Sequence, residues 1–286
     1  MNKPAITTLA PWFGSNRTLA ENVGRALCHC RWVGVPFAGG MCELSHIIAP
    51  SVLVSDLHTH VLNLAAVVAS PTLNPQLRER LDSLPFHPSV LAGAQERCRE
   101  RESQQDAAWF GVGLKTNLAD LDWAVDYFIS AWMSRNGSAG TVAEFTAPQS
   151  VRWSVGGGDS VMRFRHATES LAEWSRIMRR CTFIRADVFA FLSRVTNEEG
   201  HGLYLDPPFP EVGDSYKFGF SEDDHRRLAE IANGFTRMTV VCRFYDHPLI
   251  RKLYPFKAWK WEEFEGRRST NANDAPEVLL VREGLR

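Results

Sequence analysis

Leu203-Tyr-Leu-Asp-Pro-Pro-Phe-Pro210 is a short apolar run that opens into a proline-rich loop. That is the pattern of a buried strand whose carboxyl end presents a loop to a ligand. Pro207 and Pro208 remove two backbone donors and fix two φ angles, so the Asp206 carboxylate and the carbonyls beside it are held outward as a rigid group of acceptors. Phe209 sets an aromatic ring next to them. Acceptors in one plane beside a ring face suit a planar heterocycle carrying an amino group, such as an adenine or cytosine swung out of its stack.

Three further stretches share the theme of a strand ending at a ligand. Arg31-Trp-Val-Gly-Val-Pro-Phe-Ala-Gly-Gly-Met-Cys-Glu43 reads as strand, glycine turn and helix start. Gly39 and Gly40 allow close approach of backbone to ligand, although the third glycine of a dinucleotide fingerprint is absent and a plain β-to-α turn fits as well. Ser51-Val-Leu-Val-Ser-Asp56 is a buried strand ending in an acid, placed to accept from the ribose hydroxyls of a nucleoside or to cap the helix predicted over Thr59–Ala69. Thr182-Phe-Ile-Arg-Ala-Asp187 repeats the pattern before a helix from Val188 to Val195, and Asp187 is equally an N-cap. Near the start, Pro11-Trp-Phe-Gly-Ser-Asn-Arg17 feeds a helix over Leu19–Leu27. Its N-terminus offers N–H groups to an anion, or is an ordinary loop and cap.

Between residues 70 and 180 the chain turns polar, with helical spacing over 77–84, 90–101 and 119–132. Arg152, Arg163 and Arg165 alternate with Trp153 and Phe164 around Gly156-Gly-Gly158, a pattern that suits a surface lying against DNA or a plain solvated face. Downstream, a helix over 222–233, a strand over Met238–Phe244 and a last strand over Glu277–Val281 complete an alternating order. His201, His225 and His247 are read as structural, because the chemistry suggested by the Asp206 loop needs no histidine.

With 286 residues, 44% of them hydrophobic, the chain can bury a core as one large domain or one domain with an insertion. The six cysteines lack zinc-site spacing, so no metal is expected. No apolar run approaches the ~18 residues of a membrane span and no leader pattern is visible, so no membrane partner and a cytoplasmic location are expected. A formal charge of −1 means that a polyanion partner would have to meet a local basic face.

Asp206-Pro-Pro-Phe209 resembles the Asp-Pro-Pro-Tyr/Phe signature of amino-methyltransferases, and the order of the other stretches resembles the Dam-like DNA adenine-N6 methyltransferases. The resemblance implies S-adenosyl-L-methionine as cofactor. It places Trp12, Phe13 and Gly14 of the opening motif, and Pro36, Phe37, Ala38, Gly39 and Gly40 of the glycine motif, around that molecule. Asn16 stands where relatives have lysine, with Arg17 next to it as a substitute charge, and Val35 replaces an acid. The resemblance also implies Asp56 and Leu57 at the ribose, Asp187 at the adenine amino group, and Asp206, Pro207, Pro208 and Phe209 as the catalytic loop. Arg135 and Asn136 resemble a DNA-contacting loop, and Arg152, Arg163 and Arg165 fall in the same interval. The implied fold is α/β, a doubly wound Rossmann-like methyltransferase sheet with a mostly helical inserted target-recognition domain. The catalytic domain would be discontinuous, 1–69 and 181–286, around an insertion at 70–180. The implied activity is adenine-N6 methylation of a flipped base in double-stranded DNA, in a bacterial or phage-infected cell. Cytosine-N4 or RNA adenine methylation, or a DNA-binding relative without catalysis, are alternatives, and monomer and homodimer both remain open.

Overall fold

The computed structural model describes residues 4–15, 17–103, 119–135, 139–153, 158–210, 216–264 and 276–284. Seven strands form one sheet: β1 (Trp32–Val35), β2 (Ser51–Asp56), β3 (Cys181–Arg185), β4 (His201–Leu205), β5 (Thr239–Tyr245), β6 (Lys260–Phe264) and β7 (Glu277–Arg282). They lie in the order β3-β2-β1-β4-β5-β7-β6. The first five are mutually parallel, and β7 runs antiparallel between β5 and β6. A 3-2-1-4-5 order is that of a doubly wound sheet, in which the chain leaves β1 toward one edge and β4 toward the other. The crevice between the carboxyl ends of β1 and β4 is therefore the place where such a sheet binds ligands.

Strand period 2 sorts side chains between the two faces. Leu203 and Leu205 of β4, Val240, Cys242 and Phe244 of β5, and Val278 and Leu280 of β7 pack into one core. Tyr204, Val241, Leu279 and Val281 turn to the other. The first core is closed by the helices α7 (Val188–Leu192), α8 (Glu222–Gly234) and α9 (Pro248–Leu253). The second is closed by α1 (Ala20–Ala26) and α2 (Thr59–Ala69), and by three helices that pack on α2, namely α3 (Leu73–Ser83), α5 (Leu121–Met133) and α6 (Ser160–Met178). α4 (Pro88–Ser103) packs against α5.

α2 is mostly apolar and almost wholly buried, as expected for a helix with the sheet on one flank and a second helical layer on the other. The described residues between 70 and 180 thus share one continuous core with β1, β2 and α2. α6 ends two residues before β3. It is a helix the sequence reading did not assign, although Asp159 caps it and Phe164, Ala167, Leu171, Trp174 and Met178 recur on its buried face. The helix expected after Gly39 and Gly40 is only a 3-10 turn, Cys42–Ser45. Among the described residues no helix is long and apolar enough to cross a membrane.

Candidate active site

The carboxyl ends of four adjacent parallel strands open on one cleft of about 1020 Å3, mouth included. Its walls are Pro36–Gly40 after β1, Asp56 and Leu57 after β2, Ala186–Phe189 after β3, and Asp206 and Pro208 after β4. Trp12–Ser15, Gly140, Tyr216 and Phe218–Phe220 close the remaining sides. Strands that are distant in sequence thus deliver Pro36, Phe37, Ala38, Gly39, Gly40, Asp56, Leu57, Asp187 and Asp206 to one place.

Two glycines of this wall meet the same ring. Gly39 has φ +44°, and a Cβ there would stand 3.0 Å from the Trp12 indole. Gly140 has φ +80°, and its Cβ would meet the same ring at 2.5 Å. Trp12 is thereby clasped between the β1 loop and the segment after residue 138, with its edge against His58 at 5.0 Å between centroids. Positive φ at Met41, 60°, shows the same turn bent beyond what a residue with a side chain ordinarily adopts.

Each acid has defined hydrogen-bond partners. Asp56 accepts from the Gly39 N–H at 2.8 Å through Oδ2 and from the His58 N–H at 2.9 Å through Oδ1. It therefore ties the β1 loop to the start of α2, and burial raises its pKa. The N-cap of α2 is His58, whose Nδ1 accepts from the Val61 N–H. Its ring proton then lies on Nε2, 2.6 Å from Glu144 Oε2, and burial lowers its pKa to about 3. Glu144 sits in the segment that covers Trp12, so this bond fastens that segment to the sheet. Asp187 both lines the cleft and caps α7, accepting from the N–H groups of Phe189 and Ala190.

Asp206 is held from two neighbouring elements. Tyr204 donates its hydroxyl to Oδ2 at 3.0 Å, and Arg243 Nη1 approaches the same oxygen at 3.2 Å. Leu205 pairs with Cys242 across β4 and β5, so Asp206 and Arg243 are the next residues on adjacent strands. Arg243 is 4% exposed. It also donates to the Gly14 carbonyl at 2.9 Å and to Glu277 at 3.0 Å, linking the Asp206 loop, the segment at Gly14 and β7. Burial pushes the Asp206 pKa up, while Arg243 and Tyr204 pull it down. A carboxylate facing a buried arginine stays ionised and acceptor-only.

Some expected residues are elsewhere. Phe209 is buried, 4.7 Å from Tyr245 and edge-on to it, with the Arg243 guanidinium 5.1 Å above its ring. This corrects the expectation of an open stacking face, because Phe209 faces the core, while Phe37, Phe189 and Phe220 line the cleft. Pro207 is not among the cleft residues, but Pro208 is. Arg17 is exposed and does not line the cleft.

Arg165 was expected on a DNA face, but its guanidinium binds the carbonyls of Leu81, Asp82 and Leu84. It therefore serves as a clamp on the open C-terminus of α3. Arg163 is half-buried on α6 near the Trp132 carbonyl. Arg135 is exposed, and Arg152 faces Asp159 at 3.4 Å. Asn16 and Asn136 lie outside the described residues.

Arg243, Tyr204 and Glu43 are site residues that the sequence reading passed over. The signal for Arg243 was a single charge inside the apolar run Met238-Thr-Val-Val-Cys-Arg-Phe244. Compared with known proteins, the chain matches no family model and no curated protein. Among the described residues no group of histidines, cysteines and acids could hold a metal ion.

Proposed function

We propose that the cleft binds S-adenosyl-L-methionine and that the protein is a Dam-like DNA adenine-N6 methyltransferase. The observation that carries the reading is the row Asp187, Asp56, Gly39 and Asp206 at the ends of β3, β2, β1 and β4, all lining one cleft. Three strand spacings of ~4.8 Å make that row about 14 Å long, the length of an extended nucleoside carrying an amino acid. The chemistry along the row fits such a molecule. Phe37, Phe189 and Phe220 supply apolar ring surface beside Asp187, Asp56 supplies a fixed carboxylate for a diol, and glycine backbone lets a chain pass toward Asp206. When bound, the cofactor supplies a methyl group on a sulfonium.

The chain's own residues act on the acceptor. An aromatic amine is a poor nucleophile, because its lone pair is delocalised into the ring. Accepting an amine hydrogen on Asp206, which lines the cleft, draws the lone pair out of conjugation. Asp206 retains capacity for this, since a carboxylate takes about four hydrogen bonds. Arg243 and Tyr204 hold it ionised and aimed, so positioning and electrostatics carry the rate. The 70–180 interval is the proposed target-recognition part, with exposed Arg135 and Arg152 beside the 89%-exposed Trp153 as the surface that meets double-stranded DNA.

The test is to incubate the protein with S-adenosyl-L-methionine and duplex DNA and to analyse the digested nucleosides by mass spectrometry. N6-methyladenine from the wild type and none from Asp206→Ala is the expected result. N4-methylcytosine, or product from RNA alone, would replace the substrate, and no product on any nucleic acid would refute the reading.

A further inference from the structure

Glu43 occupies the 3-10 turn that follows the glycine loop, lines the cleft and is 4% exposed. Its carboxylate receives the Cys42 thiol at 3.0 Å, a weak donor. Arg243 acts on it only at longer range and directs its N–H groups to Asp206, Glu277 and the Gly14 carbonyl. A buried carboxylate without a close cation is costly, and burial together with the Asp206 charge holds Glu43 up to about 7. Ser15 touches Cys42 at 3.7 Å and Arg243 touches Gly14, and the Asp206 charge acts on Glu43, so Glu43 sits at the Asp206 end of the row. Two carboxylates therefore face this end of the cleft, and Arg243, the arginine beside them among the described residues, is already committed. A ligand that brings its own positive charge with N–H donors satisfies the site. A sulfonium has the charge but no donor, whereas an ammonium has three.

We propose that Glu43 accepts the α-ammonium group of the amino-acid part of S-adenosyl-L-methionine. The inference rests on the methyl-donor reading above and assigns a role to a residue beyond the Pro36–Gly40 glycine motif.

The test is calorimetric binding of three probes to wild type and Glu43→Gln: S-adenosyl-L-homocysteine, its analogue lacking the α-amino group, and methylthioadenosine, which lacks the amino acid altogether. Wild type is expected to prefer the amine-bearing probe over the deaminated one by about tenfold or more. Glu43→Gln is expected to lose that preference while binding methylthioadenosine unchanged, which also reports that the variant is folded. Near pH 7, wild type should release a proton on binding the amine-bearing probe, read from heats in two buffers of different ionisation enthalpy, and the variant should not. Equal loss for all three probes, or a preference that survives in Glu43→Gln, overturns the proposal. If wild type binds none of the three, the methyl-donor reading fails and the proposal with it.

Discussion

Replacing Arg243 with methionine tests the electrostatic design of the site without presuming what it binds. In the wild type one guanidinium neutralises Asp206 at 3.2 Å and Glu277 at 3.0 Å and holds the Gly14 carbonyl. The side chains of the two acids are only 16% and 20% exposed. Methionine fills similar volume but leaves both carboxylates unpaired, and breaking a buried pair from one side costs about 3–5 kcal/mol. The sign with pH follows from linkage. Asp206 already has its pKa raised by burial, and losing the cation raises it further. A native carboxyl that holds its proton more tightly than the unfolded one loses stability as pH rises through its folded pKa. The deficit of Arg243→Met should therefore be larger at about pH 8 than at about pH 5, because rising pH favours the charged Asp206 carboxylate that has lost its cation. Urea unfolding of wild type, Arg243→Met, Asp206→Asn and the double variant at both pH values reads this directly. Removing the Asp206 charge in the double variant should restore part of the loss, a coupling of about 1–3 kcal/mol. A deficit below about 1 kcal/mol at pH 8, or one that is the same at both pH values with no rescue by Asp206→Asn, refutes the argument.

Asp206→Ala should abolish methyl transfer while leaving S-adenosyl-L-homocysteine affinity within a few-fold, measured by calorimetry beside a nucleoside assay. Asp56→Ala removes the tie between the Gly39 and His58 N–H groups and should weaken cofactor binding by about 1.5–3 kcal/mol; an unchanged isotherm would take Asp56 out of the site. Arg165→Ala should lower the thermal midpoint, since the α3 carbonyls lose their donor at a cost of about 1–2 kcal/mol, yet leave DNA affinity unchanged in a filter or anisotropy titration. Arg135→Ala should do the reverse, leaving stability alone and reducing the salt dependence of DNA binding by about one ion.

Local features were legible where chemistry and periodicity coincide. β2 spans Ser51–Asp56 and α2 spans Thr59–Ala69, as the apolar runs predict. The strand ends bearing Gly39, Asp56, Asp187 and Asp206 meet in one cleft because parallel strands of a doubly wound sheet leave their carboxyl ends along one edge. What the sequence hid is long-range. Arg243 becomes part of the site only through the β4–β5 register, which sets it beside a residue 37 positions away. Phe209 points into the core because Tyr245 and Arg243 pack on it, contacts no local pattern announces. The arginines of 163–165 looked like a nucleic-acid face because the alternation with aromatics was read before the helical period. α6 turns Phe164 inward and lays Arg165 across the end of α3. His58 rather than Asp56 caps α2, since Asp56 is drawn off by the Gly39 backbone.

The most direct measurement is a crystal structure with S-adenosyl-L-homocysteine soaked or grown in. The account predicts the adenine against Phe189 and Asp187, the ribose on Asp56, and the sulfur facing the mouth at Asp206. A ligand bound in the opposite direction, or a sulfur that cannot reach the Asp206 loop, would contradict it.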